Sequence, residues 1–312
     1  MDTEEKDSYI KIKSKSEPYE YFSKGILSSS LFSIGINPNL AYDIATEVEQ
    51  EISRIKEPVS KKRLTDIIAE KISHYDTRLA ERYKIYEGPG AYKPIIILLA
   101  GVPGIGKSTL ASQLSQYFEI TGIIGTDMIR EILRQTISPK LVPEIHCSSY
   151  EAYKHIRSWL NPLLRQSVIG YEEQSRHVIV GVEAAIQSAL YMRQNMIIEG
   201  VHLSPNILNQ ELMDDPHVLF LMLHLKDEEE HLKRFIEREH QETIRKAKKY
   251  VESFTEIRHI QNYLLEESVK ANVPIIETQN NELALKELTN IIWDRIIELH
   301  RAAEKEANKQ KR

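Results

Sequence analysis

Only one cysteine, Cys147, stands among 312 residues, which excludes a disulfide framework within the chain and a cysteine-rich zinc site. Basic residues are not in excess either. Lys and Arg total 41 against 46 Asp and Glu, a formal charge of -5, so no overall positive field draws in nucleic acid non-specifically. No stretch approaches the ~18 to 20 apolar residues of a membrane span. The opening MDTEEKDSYIKIKSKSEP carries no apolar run resembling a signal peptide. These absences lead to the expectation of a soluble protein in the reducing cytoplasm, with no membrane partner, whose anionic ligands are met by local charge.

What is present is ordinary globular material, 41% hydrophobic and 28% charged, in a length that suggests about two domains. Residues 1–17 are charged; Tyr9, Ile10 and Ile12 alternate with polar neighbours like a short strand, so the segment is expected to be a mobile or edge element. Residues 18–87 repeat apolar side chains at helical spacing in blocks around 22–33, 39–55 and 62–85, punctuated by Pro38 and Pro58. This predicts a small helical domain. Gly88 to Pro94, GPGAYKP, reads as a linker.

Residues 95–280 change character. IIILLA (Ile95 to Ala100), ITGIIG (Ile120 to Gly125), MIIEGV (Met196 to Val201), VLFLMLHL (Val218 to Leu225) and VPIIET (Val273 to Thr278) read as strands separated by helical patterns. That alternation predicts an α/β fold with a parallel sheet and helices on both faces, because each parallel connection needs a crossover. Residues 281–312 close the chain as a long amphipathic helix with a basic tail.

The chemistry begins after the first of these strands. Gly101-Val-Pro-Gly104-Ile105-Gly106-Lys107-Ser108 fits G-x-x-x-x-G-K-[ST], between a strand and the helical stretch Thr109 to Phe118. Glycines let the backbone turn a row of N–H groups inward at a helix N-terminus, which makes an anion nest for the phosphates of ATP. Lys107 is expected to bridge the β- and γ-phosphates, Ser108 to ligate Mg²⁺, and Thr109 to assist near the α-phosphate.

The second strand runs into Gly125-Thr126-Asp127, with Arg130 and Arg134 on the same helical face as Asp127. Asp127 is the candidate general base and the two arginines the candidate grips on an anionic acceptor; the alternative is a helix cap paired with Arg130. Glu199, at the end of the third strand, is the second candidate metal ligand, and His202 a candidate substrate contact or a satisfied core histidine. His146, Ser149 and Tyr150 sit in a polar cluster suited to substrate recognition or to a surface turn. Arg234 and Arg238 stack four residues apart and could close over the triphosphate as a lid, or form an ordinary solvated face.

With these residues in place the chain resembles the archaeal 2-phosphoglycerate kinase family over roughly residues 17 to 280, a likeness carried by GTDMIRE (Gly125 to Glu131), ISPKLVP (Ile137 to Pro143), HCSSYEAY (His146 to Tyr153), GYEEQ (Gly170 to Gln174), VGVEAAI (Val180 to Ile186) and IIEGVHL (Ile197 to Leu203). The resemblance implies a P-loop kinase core, Mg²⁺, and transfer from ATP to 2-phosphoglycerate to give 2,3-bisphosphoglycerate. The segment from PYEYFSKG to RYKIY is similar to an ATP-cone, a nucleotide-binding regulatory module, with Lys24 and Gly35 where its pattern places them. Pro103-Gly104 departs from the Ser-Gly associated with the family. Two other readings share the same core: a nucleotide-dependent switch that does not transfer phosphate, and a kinase acting on an RNA or another small anionic hydroxyl acceptor.

Overall fold

The alternation around Ile12 does make a strand. In the computed structural model, which describes residues 10–13, 19–55, 57–88, 94–156, 165–238 and 244–310, β1 (Lys11–Lys13) pairs antiparallel with β2 (Glu20–Tyr21) and parallel with β3 (Val59–Ser60). The expected edge element is thus the middle strand of a three-stranded sheet, held there because Ile12 and Val59 meet in register with both side chains buried. The other residues of the 1–17 segment lie outside the described residues, except Ile10.

Helices α1 (Lys24–Ser33), α2 (Pro38–Ser53), α3 (Lys61–Ser73) and α4 (Thr77–Tyr86) complete this part of the chain. Each starts where a side-chain oxygen of Ser23, Asn37, Ser60 or Asp76 accepts from a first-turn N–H. The block of helical spacing over 62–85 holds two helices, because Asp76 accepts from the N–H groups of Arg78 (2.7 Å) and Leu79 (3.4 Å) and restarts the helix. Along α2, Ala41, Ile44, Ala45, Val48 and Ile52 are buried, the stripe that 3.6-residue periodicity dictates.

The remaining elements are β4 (Ile96–Ala100), α5 (Lys107–Tyr117), β5 (Gly122–Gly125), α6 (Thr126–Thr136), α7 (Gln166–Met192), β6 (Met196–Gly200), α8 (Gln210–Met213), β7 (Val218–His224), α9 (Glu228–Arg238), α10 (Ile244–Glu252), α11 (Phe254–Lys270), β8 (Ile275–Glu277) and α12 (Asn281–Gln310). Two 3₁₀ turns, Pro143–His146 and Ser149–Lys154, lie between α6 and α7. The strands form a five-stranded parallel sheet in the order β5-β6-β4-β7-β8, flanked by helices. Every residue of β4 is buried, as a central strand covered on both faces requires.

Register decides where chemistry can happen. Ala100 pairs with Gly200 and with Met222, and Gly125 with Glu199. The carboxyl ends of β4, β5, β6 and β7 therefore finish at one edge, where the loops of an open α/β sheet bind ligands.

The chain divides into two compact units, Met1–Lys93 with Trp293–Arg312, and Pro94–Ile292. The closing helix is consequently not a separate piece: α12 contributes Asn281 to Ile292 to the second unit and its remainder to the first. The reason is Trp293, fully buried, under the buried guanidinium of Arg82, which is 5.9 Å from the indole and 4.0 Å from Asp294.

One close approach is directly testable. A Cβ on Gly170 of α7 would fall 2.1 Å from the backbone nitrogen of Tyr153, whereas one on Gly25 of α1 would meet nothing nearer than Ser23 Oγ at 3.9 Å. Alanine favours a helix interior over glycine by ~1 kcal/mol. Gly25→Ala is expected to leave thermal stability unchanged or slightly raised, and Gly170→Ala to lower it by ~1–3 kcal/mol through the backbone clash. Thermal unfolding of the two variants reads the opposite signs.

Candidate active site

The turn after β4 needs the glycines that the motif supplies. Gly104 and Gly106 sit at φ 87° and 92°, in the left-handed region where an L side chain is strained. Gly106 is also the residue before α5 and gives it no side-chain cap, so the first amides of the helix are left for an anion. Lys107 is buried, its Nζ donating to the Val102 carbonyl at 2.8 Å. Pro103, Gly104, Gly106, Lys107 and Ser108 line a cavity of about 110 Å³ together with Gly125, Thr126, Asp127, Glu199 and Tyr250. Gly101 opens the loop, and Ile105, fully buried, packs against it. Thr109 is exposed on the next position of α5.

Across this cavity the Ser108 hydroxyl donates to Glu199 Oε1 at 2.8 Å. A hydroxyl and a carboxylate oxygen form the hard donor set that Mg²⁺ takes, alongside waters and substrate phosphates. Among the described residues no cluster of three or more His, Cys, Asp or Glu could hold a metal alone, which fits an ion shared with phosphates and not one caged by protein.

Asp127 belongs to the same cavity. It is not the helix cap, because Gly125 holds that position; its carboxylate, 74% exposed, is met by Arg130 Nη2 at 3.2 Å. Arg130 also donates through Nη1 to the Cys147 carbonyl, so one guanidinium ties the start of α6 to the 3₁₀ turns. Arg130, Arg134 and His146 line a second, larger cavity of about 440 Å³ with Cys147, Ser148, Glu151, His155 and Lys249. His146 is fixed on that wall by its Nε2 against the Ile137 carbonyl, 2.9 Å.

Other expected contacts fall elsewhere. Ser149 and Tyr150 are buried and absent from both linings, because the 3₁₀ turn directs Ser148 outward and packs Tyr150 against Tyr250, ring centroids 5.7 Å apart. His202 is fully buried, with Nδ1 2.9 Å from Thr126 Oγ1 and Nε2 2.9 Å from Gln174 Oε1, so it cannot touch a substrate. Arg234 is no free lid: it pairs with Glu230 (3.1 Å) and donates to the carbonyls of Thr278 and Gln279 (3.0 Å each), which locks α9 to the end of β8. The Arg238 side chain lies outside the described residues.

Two supports are given no role by the sequence: Gln174 stands only within the GYEEQ resemblance, and His231 in no motif. Gln174 joins His202 to the Cys147 carbonyl at 3.2 Å, and so couples the strand end at β6 to the wall of the larger cavity. His231 on α9 reaches the Pro103 carbonyl of the phosphate loop at 2.9 Å, with Arg258 donating towards its other nitrogen at 3.5 Å. Only its place one turn before Arg234 hinted at a role. Burial pushes His202 down to about 3 and His231 down to about 4, so both are neutral struts.

Because both imidazoles ordinarily titrate near 6.5, the unfolded chain binds more protons than the folded one below that pH. Stability present above about pH 6.5 is therefore lost as pH falls towards 4. Thermal unfolding is expected to show the midpoint dropping between pH 7.5 and 5, with His231→Gln flattening part of the slope. Equal slopes in the two proteins would remove His231 as a source.

No family model matches the sequence. Individual relatives do. A 2-phosphoglycerate kinase from Methanopyrus kandleri is 33% identical over 308 residues, covering 97% of this chain and 94% of its own. That from Pyrococcus furiosus is 37% identical over 283 residues, 89% and 91% of the two chains, and that from Methanothermobacter thermautotrophicus 35% over 261, 83% and 85%. A gluconokinase structure from Sinorhizobium meliloti 1021 aligns over 69% of this chain and 98% of its own with 14% identity and a TM-score of 0.38, too low to add to the reading. With a third of positions shared along almost its whole length, this chain belongs to the 2-phosphoglycerate kinase family.

Proposed function

We propose that this protein transfers the γ-phosphate of ATP to the 3-hydroxyl of 2-phosphoglycerate, giving ADP and 2,3-bisphosphoglycerate. The observation that carries the reading is a single cavity holding the phosphate loop, the Ser108–Glu199 pair and the Asp127 carboxylate, in a chain related end to end to 2-phosphoglycerate kinases.

In this reading the amides that follow Gly104 and Gly106 cradle the phosphates, and Lys107 places its positive charge where negative charge grows on the bridging oxygen. Mg²⁺ held by Ser108 and Glu199, directly or through water, would neutralise the β- and γ-oxygens. Asp127 takes the proton of the attacking hydroxyl as the new oxygen–phosphorus bond forms and the β–γ bridge breaks. Arg130 keeps that carboxylate turned into the cavity. His231 and Arg258 brace the loop from behind.

For residues 18–87 we propose an ATP-cone-like module. The support is the sequence resemblance together with a cavity of about 220 Å³ lined by Ile12, Tyr21, Phe22, Ser23, Lys61 and Thr65 among others. Lys24 is not in that lining; its ammonium is engaged with Glu49 at 3.1 Å and lies 5.0 Å from the Tyr42 ring centroid, whereas Lys61 lines the cavity, with its ammonium 3.9 Å from Glu87 on the same wall.

Two measurements test these proposals. Asp127→Asn is expected to lower transfer to 2-phosphoglycerate by ~10²–10⁴-fold while ATP affinity stays within a few-fold; undiminished transfer removes Asp127 as the base, and absence of transfer in the parent protein favours the nucleotide-dependent switch. Lys107→Ala should abolish ATP binding at the phosphate loop yet leave one calorimetric binding event that Lys61→Ala then weakens. A single event lost entirely with Lys107 would show that the N-terminal module takes no nucleotide.

A further inference from the structure

The larger cavity holds charge that the phosphotransfer chemistry does not use. Three permanent cations, Arg130, Arg134 and Lys249, face one carboxylate, Glu151, with His155 beside them. Arg130 spends its two terminal nitrogens on Asp127 and the Cys147 carbonyl, and Arg134 spends Nη1 on Glu131 at 2.8 Å. The Nε–H groups of both are buried and meet no acceptor. A buried donor without an acceptor costs free energy. Three cations against one carboxylate on the wall of a single cavity leave an excess of positive charge there, which an oxyanion would offset.

We infer that this cavity is the seat of the phosphomonoester that the acceptor already carries, and that Arg134 and Lys249 determine specificity for phosphorylated over unphosphorylated acceptors. The inference rests on the phosphotransfer reading above and deepens it. Asp127, Arg130 and Arg134 follow one helical face: the Asp127 carboxylate is 3.2 Å from the Arg130 guanidinium, and the Arg134 backbone position lies two turns (~10 Å) along the axis from that of Asp127. That offset suits an acceptor whose phosphate sits on the carbon next to its reacting hydroxyl: the hydroxyl meets Asp127 while the dianion fills the cationic end. The forked N–H donors of arginine fit phosphate oxygens in pairs, and an ammonium adds charge without fixed geometry. Lys249 arrives from α10 and His155 from the end of the second 3₁₀ turn. Glu151, 4.0 Å from Lys249 and 3.2 Å from Lys154, repels the same dianion and sets the affinity below its maximum.

The test compares initial rates with 2-phosphoglycerate and with glycerate, and calorimetric binding of 2-phosphoglycerate without ATP, in the parent protein and in Lys249→Ala, Arg134→Ala and Glu151→Gln. Lys249→Ala and Arg134→Ala are expected to raise KM and Kd for 2-phosphoglycerate on the order of ten-fold, to leave KM for ATP unchanged, and to narrow the preference over glycerate. Glu151→Gln is expected to shift KM and Kd the other way, a sign that loss of packing would not produce. If the parent turns over 2-phosphoglycerate and all three variants keep its KM and Kd, the phosphomonoester seat is wrong and the reaction stands. If the parent binds 2-phosphoglycerate in a manner dependent on Lys249 but transfers nothing to it, the seat stands and the reaction assignment falls. Failure of the parent to bind it overturns both.

Discussion

The near-level ending of three parallel strands at one edge of the sheet governs the site. β4 and β6 end in register at Ala100 and Gly200, β5 ends at Gly125 opposite Glu199, and β7 passes Met222 in register and runs two residues further to His224. At that edge the phosphate loop, the start of α6 and the loop after β6 open onto a common space. Gly200 shows how little freedom remains there: a Cβ on it would lie 1.8 Å from Thr126 Oγ1. The Thr126 side chain at the start of α6 closes directly on the Gly200 backbone at the end of β6, and that contact sets Asp127 beside Glu199 and Ser108.

Behind the polar groups of the smaller cavity stand neutral, buried hydrogen-bond bridges instead of further charges. His202 links Thr126 to Gln174, and His231 links the loop at Pro103 to Arg258. An imidazole kept neutral by burial fixes direction without adding a field that would compete with the phosphates. The aromatic series His231, Phe235, Tyr250 and Tyr150, with successive ring centroids 4.9, 4.9 and 5.7 Å apart, carries the same support from the phosphate loop to the turn that walls the larger cavity.

Much of this was legible in the letters. The strand cores and the glycine loop could be placed because a parallel strand buried on both faces and a tight anion nest leave strong local signals, and the helix face of Asp127, Arg130 and Arg134 follows from periodicity. What escaped depends on distant partners. The spacing of Arg234 suggested a lid, but the carbonyls of Thr278 and Gln279 that hold it are more than forty residues away. Nothing local distinguishes a buried His202 from an exposed one, and Lys249 and His155 reach one cavity from separate elements. The break at Asp76 was readable in principle, since an aspartate before a helical run is a capping signal, yet the apolar period continued across it and masked the restart. The three-stranded sheet around Ile12 was hidden for another reason: strands of two or three residues are too short to show a period.

The hydroxyl of Ser108 is already spoken for by Glu199. On the proposed reading, a divalent cation coordinated directly by both oxygens would separate that pair and take from protein only two of the six ligands of its shell. The remaining positions have to come from water and from the nucleotide's own phosphates. On that reading the ion and the triphosphate make better guests together than apart.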